Sequence, residues 1–500
     1  MAFFHSLPNF FYYSFVLIYV AILLVLSPCH VFAFDEKKKN DGRDTIATSD
    51  YIVVKDINMK GNKRTKAYVI LREMDVVVGD TLDVAELEGI FEKNQNQIYN
   101  TRLFNDVNIK IQSWKENIAE LLVEVEERWY VIPAPIFELT DDFNVWWNTH
   151  NRDLSRTEYG MLFTHVNFRG RKEMLKLNMQ FGYTKKLELS YHLPFIDKKR
   201  NTGLNPFISY IIQRQLGYKT ENNKQVFFSD TSFTRQKVFN DSTYILKRFR
   251  VGTVLTHRPN IKWQHYFNFS YFNNSIADAV NEASNGNFFL DNRTKQQYFY
   301  LAYVLNYDNR DIRAYPLKGN YFRLQVAKAG IGVFDDLNML WIIGNYTQYM
   351  RLHPKVYAVA NVQAKTSFPD IQPYFNQSGL SGGSGNLRGY ELYIVDGQRY
   401  AMARTALKYQ LIDRKFINPI VKLSQFRTIP FAAYLKTYCE MGYVQDKYYA
   451  ENNPLNNQLL RSTGVGLDIV TLYDNVISLE YSVNHLGEWG FFMGFKVNYD

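Results

Sequence analysis

From Pro133 to the end of the chain, apolar and polar residues alternate along strand-length stretches, and this pattern restricts the fold more than any other feature. In Leu175–Tyr183 every second residue is apolar, and the residues between them are Lys, Asn, Gln and Gly. Ile477–Asn484 and Phe491–Tyr499 repeat the pattern. Alternation with a period of two indicates strands with one apolar and one polar face. The region therefore predicts a mainly β structure.

A soluble β-sandwich would alternate in the same way, so other features must separate it from a membrane barrel. The chain contains 37 Tyr, 37 Phe and 7 Trp, or 16% aromatic residues, and membrane barrels carry aromatic girdles at both interfaces. After the N-terminal segment no apolar run is long enough for a helical span. Since every strand edge must be paired in lipid, so long a sheet has to close. We predict a transmembrane β-barrel over residues 133–500.

The number of strands follows from the alternating stretches. Seventeen candidates can be drawn, and the one at Gln225–Phe239 is the weakest, being either a loop or part of its neighbour. Single-chain bacterial barrels have even strand numbers, so we predict a 16-stranded antiparallel barrel. Its first strand is predicted at Ile136–Trp147 and its last at Phe491–Tyr499.

The N-terminus has the features of a secretory signal. Its first 34 residues contain no Lys, Arg, Asp or Glu, and Phe15–Leu26 is almost wholly apolar. Small residues at Val31 and Ala33 suit a cleavage site. We expect a signal peptide at 1–33 and a polar linker at 34–50, with an uncleaved anchor as the alternative because a basic n-region is missing.

Between the linker and the barrel, the pattern is that of a small α+β domain. Tyr51–Met59 alternates as a strand, and Thr65–Met74 and Val84–Asn94 have helical spacing. Asp106–Ser113 and Ile118–Glu126 alternate again. A β-α-α-β-β order predicts helices packed on one face of a small sheet.

Residues 51–131 resemble a POTRA domain, a module with a Gly-Asn turn, an Arg-Glu helix end and a Leu-Phe before its second strand. Gly61 and Asn62 would form the turn after the first strand, where a positive φ is permitted. Leu103 and Phe104 would fill the core between helix and sheet. The resemblance implies one POTRA-like periplasmic domain.

The segment Gly382–Tyr390 resembles the sixth extracellular loop of the BamA/TamA superfamily, the bacterial surface antigens. In relatives, the arginine of an Arg-Gly-aromatic motif in this loop folds into the lumen and meets an acidic residue on the second strand after the loop. The matching motif in this sequence is Arg388-Gly389-Tyr390. The matching strand here carries Glu440 and Gly442, with Glu where Asp is usual. A planar guanidinium suits bidentate contact with a carboxylate. A solvated Arg388 with an unrelated Glu440 is the alternative.

Tyr307–Gly319 also resembles the superfamily, at a turn between two mid-barrel strands, although an ordinary Asp/Pro/Gly turn would look similar. Elsewhere the sequence departs from the family pattern. Ala406 and Lys408 stand where relatives place Glu and Arg, and one POTRA-like unit replaces the five of the principal assembly factor.

No catalytic group or metal-ligand spacing is visible in the sequence. Nine His are scattered, and the two cysteines, Cys29 and Cys439, do not form a Cys-x-x-Cys motif. We therefore expect neither an enzyme nor a cofactor. Lys and Arg exceed Asp and Glu by 58 to 49, an excess spread along the chain that does not indicate nucleic-acid binding.

The resemblance implies an outer-membrane assembly factor that inserts client β-barrels through a gate between its first and last strands. Asp141, Asp142, Gly490 and Gly494 would weaken pairing there. The alternative is a translocase that passes a secreted polypeptide through the lumen, and a passive porin is a third possibility that the Arg-Gly-Tyr loop opposes. Expected partners are unfolded polypeptide clients, membrane lipid and accessory lipoproteins, around a monomeric barrel.

Overall fold

The computed structural model describes residues 50–139, 154, 157–229, 244–380, 387–417 and 428–496. The predicted signal peptide and all of the linker except Asp50 lie outside these residues, as do Asp141 and Asp142. Within the described ranges, every helix is too short or too polar to cross a bilayer.

The N-terminal domain is a four-stranded sheet with two helices. In chain order its elements are β1 (Tyr51–Lys60), α1 (Ala67–Leu71), β2 (Thr81–Asp83), α2 (Leu87–Tyr99), β3 (Phe104–Lys115) and β4 (Ile118–Glu127). The sheet order is β2-β1-β4-β3, and β1 runs parallel to β4. The predicted order lacked β2, because a strand of three residues is too short for alternation to reveal.

The second part of the chain is a sheet of sixteen antiparallel strands, which confirms the predicted number and fold class. A further hairpin of β10 (Gln215–Glu221) and β11 (Lys224–Ser229) stands outside this sheet. Its second strand covers the start of the weakest strand candidate, Gln225–Phe239, whose residues from 230 onward lie outside the described ranges. The sixteen strands are β5 (Val131–Leu139), β6 (Thr157–Phe168), β7 (Glu173–Gly182), β8 (Lys185–His192), β9 (Thr202–Gln213), β12 (Leu246–His257), β13 (Trp263–Ile276), β14 (Lys295–Asp308), β15 (Gly319–Ala329), β16 (Met339–His353), β17 (Val356–Phe368), β18 (Arg399–Ile417), β19 (Thr428–Gln445), β20 (Leu459–Val470), β21 (Val476–Asn484) and β22 (Trp489–Lys496).

The faces of these strands are inverted relative to a soluble sandwich. On β21, Tyr481 and Val483 are exposed on the outside, whereas Ser482 and Asn484 are buried on the inside. On β13, Phe267 and Phe269 likewise point outward. An apolar outer surface around a polar interior is the pattern of a barrel in lipid.

Contacts between distant strands show that the sheet curls. Asn223, at the tip of the β10–β11 hairpin, donates from its side chain to Asn456 Oδ1 at 2.9 Å. Asn456 lies beyond β19, which is seven sheet positions from β12, the strand that follows the hairpin. Seven strand spacings in a flat sheet would amount to roughly 34 Å. We call the end of the barrel that holds this hairpin the far rim and the end beside the N-terminal domain the near rim.

Both end strands differ in position from the prediction. The first barrel strand begins at Val131, five residues before the predicted Ile136, because Pro133 and Pro135 are accommodated within it. The last strand is Trp489–Lys496, and the predicted extension to Tyr499 lies outside the described residues.

Candidate functional site

Residues 369–380 and 387–398 of the loop between β17 and β18 fold back from the far rim against the inner wall of the barrel. Asn484 on β21 donates to the carbonyl oxygen of Gly389 at 2.9 Å. The loop also brings its own apolar residues to the wall of β18–β20. This cluster consists of Leu380, Leu387, Tyr390, Val395, Tyr400, Met402, Val444, Leu455 and Leu460. The loop is therefore packed inside the barrel rather than solvated above it.

Arg388 and Glu440 are in direct contact. Arg388 Nη1 lies 2.5 Å from Glu440 Oε1, and the backbone N–H of Arg388 donates to Glu440 Oε2 at 2.9 Å. Both carboxylate oxygens are thus occupied by one residue of the loop. The Glu440 side chain has no exposed surface and that of Arg388 is 32% exposed. A buried carboxylate of this kind depends on its cation, since an unpaired buried charge is strongly unfavourable.

Arg388 has a second acidic partner that the sequence interpretation did not assign. Its Nε donates to Glu480 Oε2 at 3.1 Å, and its guanidinium lies 4.5 Å above the Tyr438 ring. Glu480 was visible only as one polar residue on the inner face of β21. The register of β19, β20 and β21 aligns Glu480 with Lys436 rather than with Glu440, so the second contact became visible only through the position of Arg388 in the folded loop.

The ionic contacts continue from the loop toward the near rim. Lys436 lies 2.5 Å from both Glu480 and Asp468. Asp468 in turn accepts a hydrogen bond of 2.8 Å from the hydroxyl of Tyr315. Tyr315 belongs to the turn 309–318, inside the second segment that resembles the superfamily. One chain of charged and polar groups therefore connects the far-rim loop with a near-rim turn.

Gly389 and Tyr390 fix the position of the loop beyond Arg388. Gly389 has a φ of +82°, a conformation that glycine adopts without the strain of a side chain. The Tyr390 hydroxyl donates to the carbonyl of Arg461 at 2.9 Å and also hydrogen-bonds the His485 ring. Tyr390 is buried, so these bonds replace water for its hydroxyl.

Gly442 leaves space for the loop on the inner wall. A Cβ at Gly442 would lie 2.5 Å from Leu380 Cδ1 and 3.3 Å from Leu387 Cδ1. We expect Gly442→Val to displace the loop and to make it sensitive to protease added outside the cell. Gly344→Val on β16 is the matched control, because a Cβ there meets no atom within 4 Å. Equal protease resistance of the two variants would contradict this role of Gly442.

The residues predicted to shape the N-terminal domain occupy a turn and its core. Gly61 has a φ of +97°, and a Cβ there would lie 1.9 Å from the carbonyl oxygen of Val125. Asn62 does not share the positive φ that was expected of it, and instead its side chain donates to Thr65 O at 3.1 Å. Leu103 and Phe104 are fully buried.

The N-terminal domain is docked on the near rim through buried charges. Arg258, after β12, donates to both oxygens of Glu73 at 2.6 Å. Burial alone would raise the pKa of Glu73, but Lys172 and Arg258 together hold it well below its usual range. At a second point, Asp474 accepts from Tyr99 at 2.6 Å and from Arg128 at 2.7 Å. Sequence patterns could not pair these residues, which lie far apart in the chain.

Within the described residues the barrel sheet has two ends, β5 and β22. The N–H of Val166 donates to Tyr130 O at 2.8 Å, so even-numbered residues of β5 face β6. Pro133 and Pro135 therefore turn their nitrogens to the opposite edge. Since proline has no N–H, this edge lacks two hydrogen-bond donors. The predicted first strand, Ile136–Trp147, did not include these prolines.

On β22, Gly490 pairs with Ser482 and Gly494 pairs with Ser478. The nearest atom to a Cβ at Gly494 would be 3.8 Å away, so its site contributes little packing. That Gly490 and Gly494 weaken pairing at the seam stays a prediction. The contribution expected from Asp141 and Asp142 lies outside the described residues and stays a prediction.

A barrel of sixteen strands with an inward-folded loop and a small α+β domain defines a class of outer-membrane protein, and family models agree. The model of the Omp85 superfamily domain matches residues 167–471. A POTRA model, described as a surface antigen variable number repeat, matches residues 52–128. Because the first match covers more than half of the chain, the chain belongs to the Omp85 superfamily. This confirms the resemblance found in the sequence.

Solved structures share the fold. CdiB from Escherichia coli is similar with a TM-score of 0.52 and 11% identity, over 89% of this chain and 75% of that chain. BamA from Haemophilus ducreyi lacking POTRA domains 1–3 has a TM-score of 0.47 and 15% identity, over 89% of this chain and 85% of that one. At 11% identity, the likeness to CdiB is a likeness of fold alone. No curated protein matches the sequence significantly.

Proposed function

We propose that this outer-membrane protein is a non-enzymatic assembly factor that inserts polypeptide clients through the seam between β5 and β22. The observation that carries the proposal is the edge of β5, where Pro133 and Pro135 remove two donors from the seam. The neighbouring ladder of β21 and β22 continues through eight paired residues. An edge with missing donors is easier to separate than a complete ladder, and the N–H and C=O groups that remain on it can pair with a client strand.

In this proposal the N-terminal domain lies in the periplasm and receives the unfolded client. Its edge strand β3 is 12 residues long and pairs with β4 on one side. An extended client segment could add to the other side of β3 by β-augmentation. Burial of apolar strands in lipid then drives insertion without a nucleotide.

Transport through the lumen is the alternative, and it would require the loop around Arg388 to leave the inner wall. The contacts of Arg388 with Glu440 and Glu480 oppose that movement. These contacts favour insertion at the seam over passage through the barrel.

A disulfide that locks the seam tests the proposal. Cysteines at each of residues 132–137 are combined in turn with a cysteine at Gly490 or Gly494, after Cys439→Ser removes the native thiol. The panel covers all registers of the seam. We expect at least one combination to cross-link in the folded barrel, to stop client assembly and growth, and to release both on reduction.

The matched control lock joins β21 to β22 through cysteines at Ser478 and Gly494, which are directly paired. It shares one position with the seam lock and leaves the seam free, so growth should continue. If cells with a fully locked seam assemble clients at the normal rate under oxidising conditions, insertion at the seam is excluded.

A further inference from the structure

A cavity of about 280 Å³ lies between the N-terminal domain and the near rim of the barrel. Five cationic side chains line it. Two come from the N-terminal domain and three from the near-rim turns, namely Arg72, Arg102, Lys172, Arg258 and Arg313. No carboxylate is among the described residues that line it. Such a grouping of like charges in a partly enclosed space requires compensation.

The neighbouring acids compensate this charge only in part. Glu73 is within 3.8 Å of Arg72, 3.4 Å of Lys172 and 2.6 Å of Arg258. Asp308 similarly forms ion pairs with two arginines, Arg313 at 2.9 Å and Arg310 at 2.7 Å. Arg72, Lys172 and Arg258 therefore share Glu73, and Arg313 shares Asp308 with Arg310, so these cations outnumber the carboxylates that pair with them.

An unpaired donor and two lowered pKa values indicate that the excess positive charge destabilises the charged side chains of the cluster. The Nε of Arg258 is buried and has no hydrogen-bond partner among the described residues. Burial is the largest cause that lowers the pKa of Lys172 to about 8; Glu73 opposes this shift, and the charges of Arg258 and Arg313 add to it. Burial and Arg258 also lower the pKa of Arg72 to about 10. An anion in the cavity would relieve all three groups.

We propose that this cavity is a binding site for a phosphate-bearing anion. The guanidinium group of an arginine can donate two parallel hydrogen bonds to two oxygens of a phosphate, and a lysine adds a compact point charge. The wall contributes a neutral donor as well: the Oε1 of Gln264 accepts from the Tyr266 hydroxyl, and its side-chain N–H groups can donate. The cavity volume accepts a phosphate group with its bound water.

The position of the site gives the anion a structural effect. Arg72 and Arg102 belong to the N-terminal domain, whereas Lys172, Arg258 and Arg313 belong to the barrel. A ligand held by both parts binds the docked arrangement better than the separated one. By linkage, it stabilises the docked arrangement in proportion to its concentration.

The experiment uses the full chain folded in a neutral detergent, with inorganic phosphate titrated against chloride at constant ionic strength. We expect saturable binding by calorimetry, with a Kd at or below about 1 mM, and a rise in Tm. Lys172→Gln and Arg313→Gln should each weaken binding by about tenfold, the value of one charge-assisted hydrogen bond. Arg102→Gln is a second test that leaves the contacts of Glu73 intact, should either first variant fail to fold.

Lys110→Gln is the matched control, since it removes one charge from the outer face of the N-terminal domain, where Lys110 pairs with Glu124. Its affinity should equal that of the unaltered protein. An equal loss in Lys110→Gln, or no saturable effect of phosphate beyond that of chloride, would overturn the proposal.

The source of the phosphate is decided in lipid nanodiscs. If phosphatidylglycerol discs raise the Tm above that in phosphatidylcholine discs and abolish the further effect of inorganic phosphate, a lipid head group occupies the site. If inorganic phosphate acts equally in both, the ligand is a free anion. If neither phosphatidylglycerol nor inorganic phosphate raises the Tm in nanodiscs, the proposed site is overturned.

Discussion

Arg388→Ala is expected to release the loop at residues 369–398 from the inner wall and to abolish most client assembly. The substitution leaves Glu440, which has no exposed side-chain surface, without its cation. Breaking a buried pair in this way costs roughly 3–5 kcal/mol. Because Arg388 is 32% exposed, solvent screening places the effect at or below the lower end of that range.

Hydrogen exchange of the amides in residues 387–398 measures the release directly. A cost near the lower end corresponds to an opening equilibrium about 100-fold larger. Arg388→Lys should recover only part of it, because a single ammonium cannot contact Glu440 and Glu480 in the way the fork does. Arg399→Ala is the matched control, since Arg399 pairs with Asp370, a carboxylate of the same loop that is 29% exposed where Glu440 is fully buried. We expect little change there.

The combination with Glu440→Ala determines whether the two residues act together. If they do, the double variant is scarcely worse than Arg388→Ala, since the second change removes the carboxylate that the first left unpaired. Glu480→Gln should have a smaller effect than either, because the contact of Arg388 with Glu440 remains. Losses that add fully in the double variant would show that the pair does not hold the loop.

Glu73→Gln is expected to undock the N-terminal domain from the near rim. Gln keeps the shape of the side chain but removes the charge that faces Arg258, Lys172 and Arg72. Loss of one partner in a buried ion pair costs roughly 3–5 kcal/mol, and here three cations are left facing one another. The docked population should fall by at least a hundredfold relative to the undocked one.

Spin labels on cysteines at Glu88 and Lys198, both exposed, report the separation of the domain from the barrel. The Glu73→Gln variant should give a broad distribution at longer distances, while the unaltered protein gives one narrow peak. Glu124→Gln removes an exposed carboxylate on the same domain, where Lys60 and Lys110 are its partners, and should leave the peak unchanged. A narrow, unshifted peak in Glu73→Gln would show that this contact does not hold the domain.

The docked state should also persist in mild acid. Because the pKa of Glu73 is lowered in the folded protein, its contribution is present above the pKa of a free glutamate and is lost only as the pH falls through the lowered value. Between pH 7 and 5 the narrow distance peak should therefore not change.

The sequence predicted features that follow from local pattern. Alternation of apolar and polar side chains revealed the strands. Arg388 and Glu440 could be named in advance because each stands at a position of a family motif. What it could not reveal is the position of the folded loop relative to β21. Glu480 looked like any polar lumen residue until the loop placed Arg388 within reach of both Glu480 and Glu440.

The prolines of β5 show a second reason for error. The first barrel strand was predicted from Ile136, but it begins at Val131 and contains Pro133 and Pro135, although proline is unfavourable inside a ladder. On an edge whose nitrogens face away from the partner strand, it is tolerated, and that depends on the phase of pairing with β6. The contacts of Glu73 with Arg258 join residues 185 positions apart, a distance over which no periodic pattern operates.

The most direct test of insertion at the seam is the position at which a client is found. A photo-cross-linking amino acid is placed at Phe137 on β5, which is 72% exposed, at lumen-facing Gln325 on β15, and at lipid-facing Tyr346 on β16. Newly made outer-membrane barrels are pulse-labelled before illumination. We predict cross-links to these clients at Phe137 and none above background at Tyr346 or Gln325. Cross-links at Gln325 with none at Phe137 would contradict insertion at the seam and establish passage through the lumen.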